Sequence, residues 1–146
     1  MMSRAWTLAG LAAALLAASC DDPASSDPDP AAGTYALATV DGNALPYVEW
    51  SGISGFTTIL SGEIALRPDG TFRQITDRRH TFRDPQEVVL DSDTLNGTYA
   101  HRQGTVVLTQ DTGKADTISL EGTTATHRAP TVSSGPANPV PWIYRR

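Results

Sequence analysis

The chain has 146 residues, 40% of them hydrophobic and 18% charged, and 16 acidic against 11 basic side chains give a formal charge of −5. That length holds one domain, and the acidic balance argues against binding to nucleic acid or to an anionic membrane surface. Cys20 is the only cysteine, so no disulfide can form within the chain.

In chain order, Arg4 supplies a weak positive start and residues 5–18 form an apolar run, Ala and Leu with Trp6, broken only by Thr7 and Gly10. The run is too short to span a bilayer and reads as a signal peptide. It ends in Leu16-Ala17-Ala18-Ser19-Cys20, whose small residues before the cysteine resemble the lipobox of bacterial lipoproteins, although Ala17 stands where Leu is usual. The resemblance implies cleavage after Ser19, a diacylglyceryl group on the Cys20 sulfur, and a palmitate-type acyl anchor in the membrane of the cell envelope. The plainer reading is a secretory signal cut near Ala18, which would leave a free thiol in an oxidising compartment. Asp21, next to the cysteine, can favour retention at the inner membrane, and the choice between inner and outer membrane stays open. Loss of residues 1–19 removes only Arg4 from the charged set, leaving 127 residues at −6.

Residues 20–32 contain four aspartates, three prolines and no large apolar side chain. They are expected to form an extended tether for a domain spanning residues 33–146. From Gly33 onward, Thr, Val, Ile and aromatic residues alternate with Gly, Asp, Asn or Pro about every eight to twelve positions, the signature of short strands. Strands are expected over residues 33–40, 45–50, 56–67, 71–83, 86–90, 94–102, 104–110, 115–120, 123–128 and 142–144. Asp41-Gly42 suits a tight hairpin turn, and Pro68-Asp69-Gly70 is the clearest corner in the chain. Residues 71–83 break strict alternation, which points to a bulge near Thr76. Asp91-Ser92-Asp93 reads as a turn. The last strand is expected to pair with the first, closing an antiparallel up-and-down β-barrel of about eight to ten strands.

The all-β pattern of Gly33-Thr34-Tyr35, Val40-Asp41-Gly42, Leu45-Pro46, Pro68-Asp69-Gly70-Thr71-Phe72, Gly97-Thr98-Tyr99 and Tyr144-Arg145-Arg146 resembles small bacterial lipoproteins with a lipocalin-like domain. The helix that lipocalins carry before their last strand is missing from this sequence. The resemblance implies the barrel and no particular activity.

Motifs for catalysis are sparse. Ser51-Gly52-Ile53-Ser54-Gly55 lacks the spacing of a nucleophile elbow, and His80, His101 and His127 are scattered along the chain. Residues 91–102 begin like a calcium loop, but Leu95 and Arg102 occupy ligand positions. No cofactor or metal is expected, and the function expected is non-enzymatic. Two groups remain. Tyr47, Trp50, Phe56, Trp142 and Tyr144 would line a pocket for a small apolar or amphipathic ligand if they meet at one barrel mouth, or fill the core as a plug. Arg78 and Arg79, within a basic cluster, would bind anionic envelope polymers, or form part of a solvated hairpin balanced by Asp77, Asp84 and Glu87. The alternative function is an envelope structural or protein-interaction module with a packed barrel core.

Overall fold

The computed structural model describes residues 29–131 and 138–146. The expected signal peptide and Cys20 lie outside these residues. The ten strands are β1 (Gly33–Val40), β2 (Asn43–Ala44), β3 (Tyr47–Gly52), β4 (Gly55–Leu66), β5 (Thr71–Arg83), β6 (Gln86–Arg102), β7 (Thr105–Gln110), β8 (Ala115–Glu121), β9 (Thr124–Ala129) and β10 (Val140–Arg145). No helix occurs among the described residues.

Eight strands, β1 and β4 to β10, form a closed antiparallel up-and-down barrel. Trp142 pairs with Val40 and Tyr144 with Leu37, so the last strand does close on the first. On its other edge, β1 pairs with β4 through residues 33–36 and 63–66. Beyond that contact β1 and β4 part, and the short β2 and β3 fill the gap, Ala44 opposite Thr39 and Tyr47 opposite Ile59. The Asp41-Gly42 turn behaves as expected, with φ of 51° and 76°, the paired positive values that a two-residue hairpin turn requires. At the Pro68 corner, Gly70 N donates to Arg67 O at 3.1 Å, and Asp69 Oδ1 accepts from both Thr71 N and Thr71 Oγ1.

Inward positions change character along the barrel axis. At one end lie Tyr35, Ile64, Leu66, Phe72, Val106, Leu108, Ile118 and Tyr144, all buried. Interior room is limited in an eight-stranded barrel, and two glycines make space for large neighbours. A Cβ on Gly62 would stand 3.0 Å from Leu37 Cδ2, and one on Gly97 would stand 2.8 Å from Phe72 Cε1 and 2.0 Å from Thr109 O. Toward the other end β5 keeps the inward phase of Phe72 but turns polar, through Gln74 and Thr76 to Arg78 and His80.

Residues 29–32, the end of the expected tether, pack across the apolar end of the barrel. Ala31 is 1% exposed and belongs to the core. Its carbonyl accepts from Tyr35 OH at 2.9 Å, Arg146 NH1 donates to Ala32 O at 2.7 Å, and Asp29 Oδ1 lies 2.9 Å from His101 Nδ1.

Three local expectations are corrected. Asp91-Ser92-Asp93 is no turn: β6 runs unbroken for 17 residues because β5 pairs with it from Thr71 to Arg83 without a register shift. The bulge lies in the facing strand β4, between Ile59 and Ser61, and not in β5. The second expected strand, 45–50, begins only after Pro46, as β3, and a separate two-residue strand, β2, precedes it.

The close approach at Gly97 yields a stability prediction. Gly97→Ala forces a methyl group into Thr109 O and should cost about 1–3 kcal/mol, as overpacking does in cores. Thermal unfolding would show it as a lower midpoint; an unchanged midpoint would mean that β6 and β7 can separate there.

Candidate functional site

The polar end of the barrel is open, and side chains of β3, β5 and β6 form a charged group at its mouth. The β5–β6 hairpin stands above the barrel wall, because residues 86–96 of β6 extend past the strip, 97–102, that pairs with β7. Arg78 on β5 points inward. Its Nε donates to Glu49 Oε2 at 2.9 Å, and its NH1 makes a short contact with Asp93 Oδ2 on β6. Glu49 is the extra residue of a bulge between Val48 and Trp50, which turns its carboxylate inward, where it is 3% exposed. Above this group Thr57 Oγ1 lies 3.0 Å from His80 Nδ1, and His80 Nε2 lies 4.0 Å from Asp91 Oδ2.

Below Arg78 a cavity of about 350 Å³ opens into the barrel between Gln74, Thr76, Asp93, Leu95, Gln110, Asp116, His127 and Trp142. Its volume lies at the small end of the range for ligand sites, about 300–1,000 Å³. His127 is buried on β9, in the cross-strand position facing Trp142. His127 Nε2 is 2.9 Å from Asp116 Oδ2, a distance for an ion pair, but it is off the line of a hydrogen bond. His127 Nδ1 and Trp142 Nε1 are buried and have no hydrogen-bond partner among the described residues. On the floor, Gln74 Nε2 donates to Tyr144 OH at 3.3 Å. Burial pushes the Tyr144 phenol well above its ordinary value of 10.0, against partial opposition from the Gln74 bond and the Arg78 charge. At the sealed end, burial and then the Asp29 carboxylate push Tyr99 up to about 12.

Among the aromatics expected to meet, Trp142 and Tyr144 share the interior. Tyr47 packs on the core from β3, and Trp50 lies over Gly52, where a Cβ would stand 2.6 Å from its ring. Phe56 sits between the inward residues Gly55 and Thr57 and therefore faces the other side of the sheet. Arg78 and Arg79 are consecutive on a strand, so their side chains leave on opposite faces: Arg78 enters the ion-pair group, and Arg79 lies outside it. Glu49, Gln74 and Asp116 escape the reading of the sequence, which takes Asp93 as a turn residue and His127 as one of three scattered histidines. The available signal was phase, since Gln74 and Arg78 stand an even number of residues from Phe72, Asp116 two from Ile118, and His127 two from Ala125.

The site can hold a molecule between an indole wall and paired charges. No cluster of three or more His, Cys, Asp or Glu side chains suited to a metal occurs among the described residues. No protein-family model matches the chain, and neither a curated protein nor a solved structure does.

The two raised phenols give a pH prediction. Both hold their protons more tightly folded than unfolded, so the stability they lend is whole below 10.0 and is lost as pH rises through the folded-state values. Denaturant unfolding between about pH 9 and about pH 12 should show stability falling, and falling less steeply in Tyr144→Phe. Equal slopes would mean that Tyr144 is not the buried phenol responsible.

Proposed function

We propose that this protein is a lipid-anchored, extracytoplasmic binding protein that takes a small amphipathic molecule into the open end of its barrel and performs no chemistry on it. One observation carries the reading: a cavity of about 350 Å³ whose wall combines Trp142 and Leu95 with Arg78, Asp93, Asp116 and His127. Such a wall suits a ligand with an apolar body and a hydrogen-bonding head, and suits a wholly apolar one poorly, since the charged groups would lose water without gaining a partner. The anchor would attach at Cys20. That residue precedes the sealed end by nine positions, a reach of about 30 Å if extended, so the mouth would face away from the lipid. A second reading, an interaction module of the cell envelope, is favoured by the long outer edge of β6.

Two experiments test the first reading. Protein extracted from its envelope should show, in a native mass spectrum, an additional mass that is released on denaturation. The occupancy should fall in Gln110→Trp, which places a bulky ring at the cavity wall. A bare chain with its anchor, and no uptake of added amphiphiles, would sink the proposal. Separately, Cys20→Ala should release the protein from membrane fractions or leave its signal uncut; unaltered membrane retention would count against the anchor.

A further inference from the structure

Barrel closure pairs most strand edges; among the described residues β2, β3 and the raised part of β6 keep a side without a strand, and that of β6 is the longest. Residues 97–102 of β6 pair with β7, whereas 86–96 have β5 on one side and, among the described residues, no strand on the other. The direction of the backbone groups follows from two bonds. Tyr99 N donates to Gly70 O, on the β5 side, and Asn96 O accepts from Asp111 N, on the β7 side. In an antiparallel strand the N–H and C=O of one residue point the same way and alternate along the chain. Odd-numbered residues of β6 therefore bond to β5, and Val88, Leu90, Ser92 and Thr94 turn their N–H and C=O groups outward. The same even positions carry apolar side chains in solvent, Val88 at 58% and Leu90 at 72% exposure.

The charge of the edge limits what can cover it. Its other face carries Glu87, Asp91 and Asp93, and Arg78 answers only Asp93. A second copy fits poorly. Two-fold antiparallel registers centred on Val89, Leu90, Asp91, Ser92 and Asp93 respectively place Glu87 opposite Asp91, Glu87 opposite Asp93, Asp91 opposite its own copy, Asp91 opposite Asp93, and Asp93 opposite its own copy. Like charges directly opposite each other destabilise a strand pair.

We propose that the outer edge of β6, from Gln86 to Thr94, docks an extended peptide segment of a partner protein in which apolar residues alternate with Lys or Arg, added as an antiparallel strand. Main-chain bonds to Val88, Leu90, Ser92 and Thr94 hold the segment. Its basic side chains meet Glu87 and Asp91, and its apolar ones lie beside Val88 and Leu90. This surface is separate from the cavity and does not depend on a ligand there.

The test uses the full-length protein and a fluorescent probe peptide of alternating valine and lysine, followed by anisotropy. Binding is expected, and it should weaken at least about tenfold in Thr94→Pro, which deletes one outward N–H while sparing the ladder to β5. A probe methylated on alternate backbone nitrogens should also fail, as should one with glutamate in place of lysine. The methylated probe leaves the protein unaltered, so it decides the matter if the proline variant folds badly. Equal binding of the methylated probe would reduce the contact to charge attraction and overturn the proposal. So would self-association of the protein that the valine-lysine probe cannot displace.

Discussion

The open end of this barrel depends on one guanidinium. Arg78 joins side chains of three strands: Glu49 on β3, its own strand β5, and Asp93 on β6. Withdrawing Glu49 from water is costly, and only a charged, hydrogen-bonding partner offsets it. Loss of Arg78 would remove the charge that Glu49 and Asp93 share, so the group acts as a clasp on the raised hairpin at the mouth. The register supports it. The β4 bulge between Ile59 and Ser61 lies opposite Arg78 and Asp77, and on the outer face Asp77 accepts from both Ser61 and Ser92. Those two hydroxyls hold the Asp77 carboxyl below its usual range. Consecutive residues of β5 thus tie β6 down from both faces, Arg78 from within and Asp77 from without.

The apolar core and the cavity occupy different halves of the interior. The apolar half is full, closed by Ala31 and by hydrogen bonds that recruit the chain's first described residues and its last arginine. Large side chains there are accommodated by glycine at the two inward positions where they press on the wall, Gly62 and Gly97. The polar half has no such apolar filling: Arg78 pairs with Asp93 and Gln74 with Tyr144, whereas His127 and Trp142 keep ring nitrogens without a hydrogen-bond partner among the described residues. A cavity persists because paired polar groups hold their geometry by charge and hydrogen bonding, not by collapse onto a centre.

Much of the fold was legible from punctuation. Asp41-Gly42 and Pro68-Asp69-Gly70 set their turns through local backbone chemistry alone, and the pairing of the last strand with the first follows from the need to bury edges. The misreadings share a cause. Asp91-Ser92-Asp93 has turn composition, yet it stays extended because β5 supplies a partner at every position, a long-range fact that no local window contains. The same continuity explains the irregular look of β5. Its polar inward residues do not mark a bulge; they mark the passage from core to mouth. The aromatic grouping was half legible: Trp142 and Tyr144 are two apart on one strand and must share a face, whereas the placement of Phe56 depends on the phase of β4. Residues 29–32 have the composition of a tether, and they are packed because Tyr35, His101 and Arg146, distant in sequence, offer partners at the barrel's end.

The two ends of the barrel impose different conditions on their strands. At the sealed end only short stretches of strand lack a neighbour and the apolar residues are buried, so the surface there presents little that another chain could extend. At the open end the hairpin that shapes the mouth must rise above its neighbours, and rising leaves β6 with an unpaired side. An exposed edge bearing Val88 and Leu90 invites indiscriminate strand addition, and the acids at 87, 91 and 93 restrain it by making the edge repel its own copies. Those acids therefore serve two ends at once: Asp93 completes the clasp on the inner face, while Glu87 and Asp91 confine the outer edge to partners of opposite charge. The shape of the mouth and the selectivity of the edge are consequences of one length of strand.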